Sequence, residues 1–123
     1  MHQTKLLIFI LSPLSFIDKN PKDEYEKTPL HYTAEENHLE TFKLIFENID
    51  EKNPADKDGI TPLHLAAQKG HKQICEMILD VVQDIHPRTK NGKIPFDFAA
   101  QRLPDREIID LLGKAIFRII FHH

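Results

Sequence analysis

Thr61, His64 and His71 lie in the stretch TPLHLAAQKGH, a hydroxyl and two imidazoles set among small and apolar residues. His64 and His71 are seven positions apart, which is two helical turns, so an uninterrupted helix would put both imidazoles on one face. Two imidazoles there could serve as a metal-ligand pair or an acid/base pair. A structural zinc site needs three or four convergent ligands, however, and the only adjacent histidines are His122 and His123 at the chain end. The single cysteine, Cys75, rules out an intramolecular disulfide and offers no metal-binding cysteine cluster. It stands beside an apolar stripe with no histidine placed locally to activate it, so it reads as a small core residue. Glu35-Glu36 and Asp50-Glu51 read as solvated faces, and no glycine-rich phosphate loop is present.

The elements that position these groups are seen when the chain is laid against itself at a shift of 33. Lys27 to Ala34 (KTPLHYTA), Ile60 to Ala67 (ITPLHLAA) and Lys93 to Ala100 (KIPFDFAA) then coincide. So do NPKD from Asn20, NPAD from Asn53 and HPRT from His86. A catalytic constellation is singular, whereas His31 repeats His64 and His38 repeats His71. Repetition therefore makes these residues parts of a frame.

Local chemistry gives each copy the same shape. Thr61 suits a helix N-cap, and Pro62 suits the first helical position, where a missing N–H costs nothing. Leu63, Ala66 and Ala67 make a narrow apolar face. Gly70 can adopt the left-handed conformation that ends a helix, and Asn37 takes that place one copy earlier. The helix would therefore stop between His64 and His71, which breaks their shared face. A second helix begins near Ile74, apolar at Ile74, Met77, Ile78, Val81 and Val82. The polar stretches from Lys52 and His86 carry the Pro, Asn, Asp and Gly of turns. Asn-Pro or His-Pro is expected to stop the second helix.

A 33-residue period with T-P-L-H-x-A resembles the ankyrin-repeat family, from about residue 8 onward. The resemblance implies an all-α solenoid of stacked helix-turn-helix units with projecting β-turns. Its expected divisions are an N-terminal half-repeat at 1–26, repeats at 27–59 and 60–92, and a degenerate C-terminal repeat at 93–123. It also implies that Thr28, Pro29, His31, Thr61, Pro62, His64 and Gly70 are structural. The two histidines should bond across the turn and to the threonine hydroxyl, tying neighbouring repeats together. In the third copy Ile94 and Asp97 replace threonine and histidine, so both partners change at once.

The ends are less regular. Aligned backward, residues 8 to 26 match only a second helix and its turn, with Phe9, Leu11 and Phe16 at core positions. Pro13 falls inside that helix, where it would cost about 3 kcal/mol, so a broken helix is expected. Between the last two helices, Gln101 to Glu107 carries one residue more than Gln68 to Gln73, with Pro104 in place of the Gly-His turn. The tail continues the apolar pattern through Ala115, Ile116, Ile119 and Ile120, and Phe117 and Phe121 widen it. Such a surface calls for a cover: either further repeats of a longer array or self-association through the C-terminal helix.

What the resemblance implies for function is the binding of another protein, without catalysis or a cofactor, through turn tips and the exposed side of each first helix. These positions are Glu24, Tyr25, Lys27, Glu35 and Glu36, then Lys57, Asp58, Ile60, Gln68 and Lys69, then Lys90, Asn91, Lys93, Gln101 and Arg102. One lysine against three glutamates gives the first set −2, two lysines against one aspartate give the second +1, and three cations give the third +3. Tyr25 and Ile60 are the only sizeable apolar residues among them and so the candidate anchors, tyrosine above all.

Composition is compatible with this picture. A chain of 123 residues, 41% apolar and 28% charged, is one ordinary globular domain, and a net charge of −3 argues against a nucleic-acid partner. Leu6 to Leu11 is too short to span a bilayer and is a poor secretory signal, because Ser12, Pro13 and Ser15 interrupt the segment after it. A cytoplasmic or nuclear setting is therefore expected over a secreted one. The alternative is a small secreted or metal-binding protein that uses its histidines.

Overall fold

In the computed structural model, residues 19–101 and 106–121 are described, the last three by backbone alone. Six helices make up this part of the chain: α1 Pro29–Glu36, α2 Leu39–Glu47, α3 Pro62–Lys69, α4 Lys72–Val81, α5 Pro95–Gln101 and α6 Arg106–Phe121. The odd-numbered helices form an inner layer in which α3 lies between α1 and α5. The even-numbered helices pack behind them, with α4 touching both α2 and α6. The expected all-α solenoid is the architecture observed.

Each hairpin starts and turns where its residue types dictate. Thr28 and Thr61 are extended N-caps whose hydroxyl oxygens accept the N–H of His31 and His64, and proline comes next at the first helical position. Asn37 (φ 58°) and Gly70 (φ 78°) are left-handed and end α1 and α3. The next helix starts two residues later, so the hairpin is tight. Small residues let its two arms approach: Ala34, Ala66 and Ala67 are buried against larger side chains of the outer layer.

The core runs continuously through the stack. Leu30 and Leu63 enter from the inner layer, Phe42, Ile45, Ile74 and Ile78 from α2 and α4, and Ile108, Leu112 and Ala115 from α6. Phe42 and Phe46 stack with ring centroids 5.2 Å apart, one turn apart on α2. Cys75 lies fully buried in the same layer, where desolvation pushes its thiol up to about 12. No buried side-chain nitrogen or oxygen among the described residues lacks a partner.

One expectation about helix ends is corrected. The prolines do not stop the second helices, since α2 ends at Glu47 and α4 at Val81, well before Pro54 and Pro87. Asn48 ends α2, its Nδ2 donating to the Leu44 carbonyl at 2.7 Å, and Val82 ends α4 by turning extended. The asparagines ahead of Pro21 and Pro54 have a different use. Asn20 Oδ1 accepts the Leu30 N–H (3.2 Å) and Asn53 Oδ1 the Leu63 N–H (3.0 Å), covering donors that a helix start leaves open. The second helix also begins earlier than the apolar stripe indicates, at Lys72 rather than Ile74.

The broken helix expected around Pro13, with Phe9, Leu11 and Phe16, lies outside the described residues, as does the Pro104 turn. Within α6, Ile109, Leu111 and Ile116 are half-buried against the core and Phe117 is 61% exposed. The side chains of Ile119, Ile120 and Phe121 are likewise outside the described residues.

Candidate functional site

The imidazoles of the repeated motif are clasps between neighbours. The Thr28 N–H donates to His31 Nδ1 at 3.0 Å, which makes Nδ1 an acceptor and leaves the proton on Nε2. Nε2 donates in turn to the Ile60 carbonyl of the next repeat at 2.8 Å. Thr61 and His64 repeat this one copy on, with the N–H to Nδ1 at 3.0 Å and Nε2 to the Lys93 carbonyl at 3.1 Å. Both rings are fully buried, and desolvation pushes both histidines below their ordinary value, so they work as neutral bridges.

His71 reaches the other way, Nε2 donating to the Glu35 carbonyl of the preceding repeat at 2.9 Å. The two imidazoles of the TPLHLAAQKGH stretch therefore bond in opposite directions along the stack and cannot share a ligand. No group of three or more His, Cys, Asp or Glu side chains among the described residues is arranged to hold a metal ion. His122 and His123 are outside those residues. No described helix is long and apolar enough to cross a membrane.

In the third repeat Asp97 keeps half of the clasp, its Oδ2 accepting the Ile94 N–H at 2.9 Å. An aspartate is too short to bridge to a neighbour as well. Phe98 instead rests on the His64 ring, centroids 4.8 Å apart.

The turns that project from this frame are built by Asp23 and Asp56. Asp56 Oδ1 accepts the N–H groups of Asp58 (2.8 Å) and Ile60 (2.9 Å), and Asp23 Oδ1 those of Tyr25 and Lys27 (both 2.9 Å). Thr89 replaces the aspartate in the third turn, accepting the Lys93 N–H at 3.1 Å. The tips are joined to each other by backbone: Lys57 N–H donates to the Tyr25 carbonyl and Lys90 N–H to the Asp58 carbonyl, both at 2.9 Å. Main-chain groups are thus engaged along the row, and the side chains between them point outward.

The sequence-derived binding positions divide by exposure. Glu24, Tyr25, Glu36, Lys57, Asp58, Lys69, Lys90, Asn91, Lys93 and Gln101 are exposed, and Lys27, Glu35, Ile60 and Gln68 are half-buried. Arg102 lies outside the described residues. Of the two candidate anchors, Tyr25 is 57% exposed, whereas Ile60 is partly covered and its carbonyl is held by His31.

One exposed aromatic is not evident from the repeat pattern. Tyr32 on α1 is 42% exposed, although the equivalent Leu65 is buried and Phe98 packs on a histidine. Its hydroxyl donates to Asp23 Oδ2, and Lys27 Nζ lies 5.9 Å from its ring centroid. Accepting this bond, the carboxylate pushes the phenol up to about 12, and the bond from the Tyr32 hydroxyl holds the Asp23 carboxyl below its usual range. The tyrosine of KTPLHYTA where ITPLHLAA has Leu65 was the available signal.

A family model described as ankyrin repeats, in three copies, matches residues 2–91 and 43–117. No curated protein matches the chain.

Proposed function

The chain belongs to the ankyrin-repeat family, whose members generally mediate protein–protein interaction and are typically non-catalytic, and from that premise we propose that it is a non-catalytic binding module. Its partner is another protein, engaged through the face formed by the turn tips and the exposed side of α1, α3 and α5. The observation that carries this reading is the separation of duties within each repeat. Thr61, His64 and Leu63 are buried and bonded to the frame, while Lys57, Asp58 and Lys69 of the same repeat are exposed.

Side chains at the tips differ between copies while the backbone beneath them is fixed, which is how a rigid scaffold presents a variable surface. Little ordering entropy is lost on binding, so modest contacts suffice for useful affinity. Affinity capture from a cell extract, identified by mass spectrometry, tests this when run beside the triple variant Lys57→Glu, Lys90→Glu and Lys93→Glu. A partner that the parent chain retains and the variant loses, with unchanged circular dichroism, supports the reading. Equal retention by both overturns it.

Self-association through α6 is a second reading, supported by the 61% exposure of Phe117. Light scattering that shows a strict monomer at high concentration contradicts it.

A further inference from the structure

Tyr25 and Tyr32 stand at one end of the described stack, among the carboxylates of Asp23, Glu24, Glu35 and Glu36. Glu35 lies three residues beyond Tyr32 on α1, one turn along the same side of the helix. Asp23 fixes both aromatics, accepting the Tyr25 N–H on Oδ1 and the Tyr32 hydroxyl on Oδ2. The ring of Tyr32 already draws one cation, Lys27 Nζ at 5.9 Å, close to the outer limit of cation–π attraction and hence loosely held. At the other end, the third turn presents Lys90 and Lys93, both exposed.

From this arrangement we infer that the face takes an extended acidic-and-basic segment of its partner in one spatial order, with a basic side chain at Tyr25, Tyr32 and Glu35 and acidic side chains at Lys90 and Lys93. The inference rests on the binding-module reading above and adds the chemistry and orientation of what is bound. An arginine suits the first end, since its planar guanidinium can stack on a tyrosine ring while bonding a carboxylate in the plane. Lys57 and Asp58 oppose each other in the middle turn, so neither charge is favoured there.

The fold sets the spacing. Packed helices lie about 8–10 Å apart, so the first and third inner helices are separated by roughly 16–20 Å. An extended chain rises about 3.3–3.6 Å per residue, so about five or six residues separate the basic group from the acidic one.

Nuclear magnetic resonance titration of the full chain tests this with two synthetic peptides of one composition. In one, arginines at one end are set about six residues from glutamates at the other; in the second, the same charges alternate. The segregated peptide is expected to bind about fivefold more tightly at low salt, with the difference shrinking as salt is raised. A spin label at its arginine end should broaden Tyr32 and Glu35 and spare Lys90 and Asn91. Tyr32→Ala should weaken it about threefold, the size of an exposed cation–π contact. Glu35→Gln with Glu36→Gln should also weaken it while leaving the tyrosines in place. Equal affinity for the two peptides, or a label that broadens both ends alike, overturns the inference. If the captured partner is still lost from the triple lysine variant in that case, the binding-module reading stands and only the polarity fails.

Discussion

Replacing His64 with alanine should cost about 2–4 kcal/mol, and the parts of that cost can be assigned. The Thr61 N–H, buried and donating to Nδ1 at 3.0 Å, would lose its acceptor, and an orphaned buried donor costs about 1–3 kcal/mol. The bond from Nε2 to the Lys93 carbonyl would also go, worth about 0.5–1.5 kcal/mol. Against a typical total stability of about 5–15 kcal/mol, this is a large fraction. The pH dependence gives a sharper signature than the magnitude. Burial depresses the folded-state values of His31 and His64 below 6.5, so their contribution is fully present above that pH. It is lost as pH falls from 6.5 through the folded values, because the unfolded chain takes up protons first. Each such histidine contributes a slope of up to about 1.4 kcal/mol per pH unit, so the pair gives up to about 2.7 and the variant about half. The assay is urea unfolding monitored by circular dichroism at several pH values between about 7 and 5. An unchanged slope in His64→Ala, or a cost below about 0.5 kcal/mol, would refute the clasp.

Four further substitutions probe the frame. Glu26 is left-handed (φ 62°) where the second and third turns have glycine, so Glu26→Gly should raise stability by about 1 kcal/mol in the same unfolding assay, and a loss would contradict this. Gly59→Ala should cost more than Gly92→Ala: a Cβ at Gly59 would sit 3.0 Å from Thr89 Cα and 3.1 Å from the Arg88 carbonyl oxygen, whereas one at Gly92 meets nothing within 4 Å. Equal costs would mean that the turns do not approach as closely as described. Asn53→Ala should cost about 1 kcal/mol by exposing the Leu63 N–H at the start of α3, read as a lowered urea midpoint. Cys75 should resist an aromatic disulfide reagent until the chain unfolds, because its thiol is buried and hard to ionise. Rapid labelling of the native chain would count against the packing of α4.

Repeated features were the legible ones. Thr61, Pro62, His64 and Gly70 recur as Thr28, Pro29, His31 and Asn37, and each has a backbone consequence that residue type alone decides. The starts and stops of α1 and α3 and the all-α architecture could therefore be read directly. The ends of α2 and α4 could not, because the turn-forming prolines stand well beyond them and the residues that end the helices differ, Asn48 in one and Val82 in the other. Asn20 and Asn53 were visible as repeated letters, but their caps reach ten residues along the chain, further than a local reading extends. Tyr32 was hidden for a related reason. On a helix its position reads as core, and only the stack shows that the first repeat leaves it 42% exposed. The outward positions could be named from the pattern, yet how far each is uncovered, as with Tyr25 against Ile60, depends on neighbours that only the fold supplies.

The most direct test of the binding face is site-specific photocrosslinking in cells. A photoreactive residue is placed at Asp58 or Asn91 on the turn tips, or at Lys43 or Gln73 on the outer helices α2 and α4. The prediction is a discrete adduct from the tip positions, competed by unlabelled chain, with none from the outer helices. Adducts from Lys43 or Gln73 with none from the tips would contradict it.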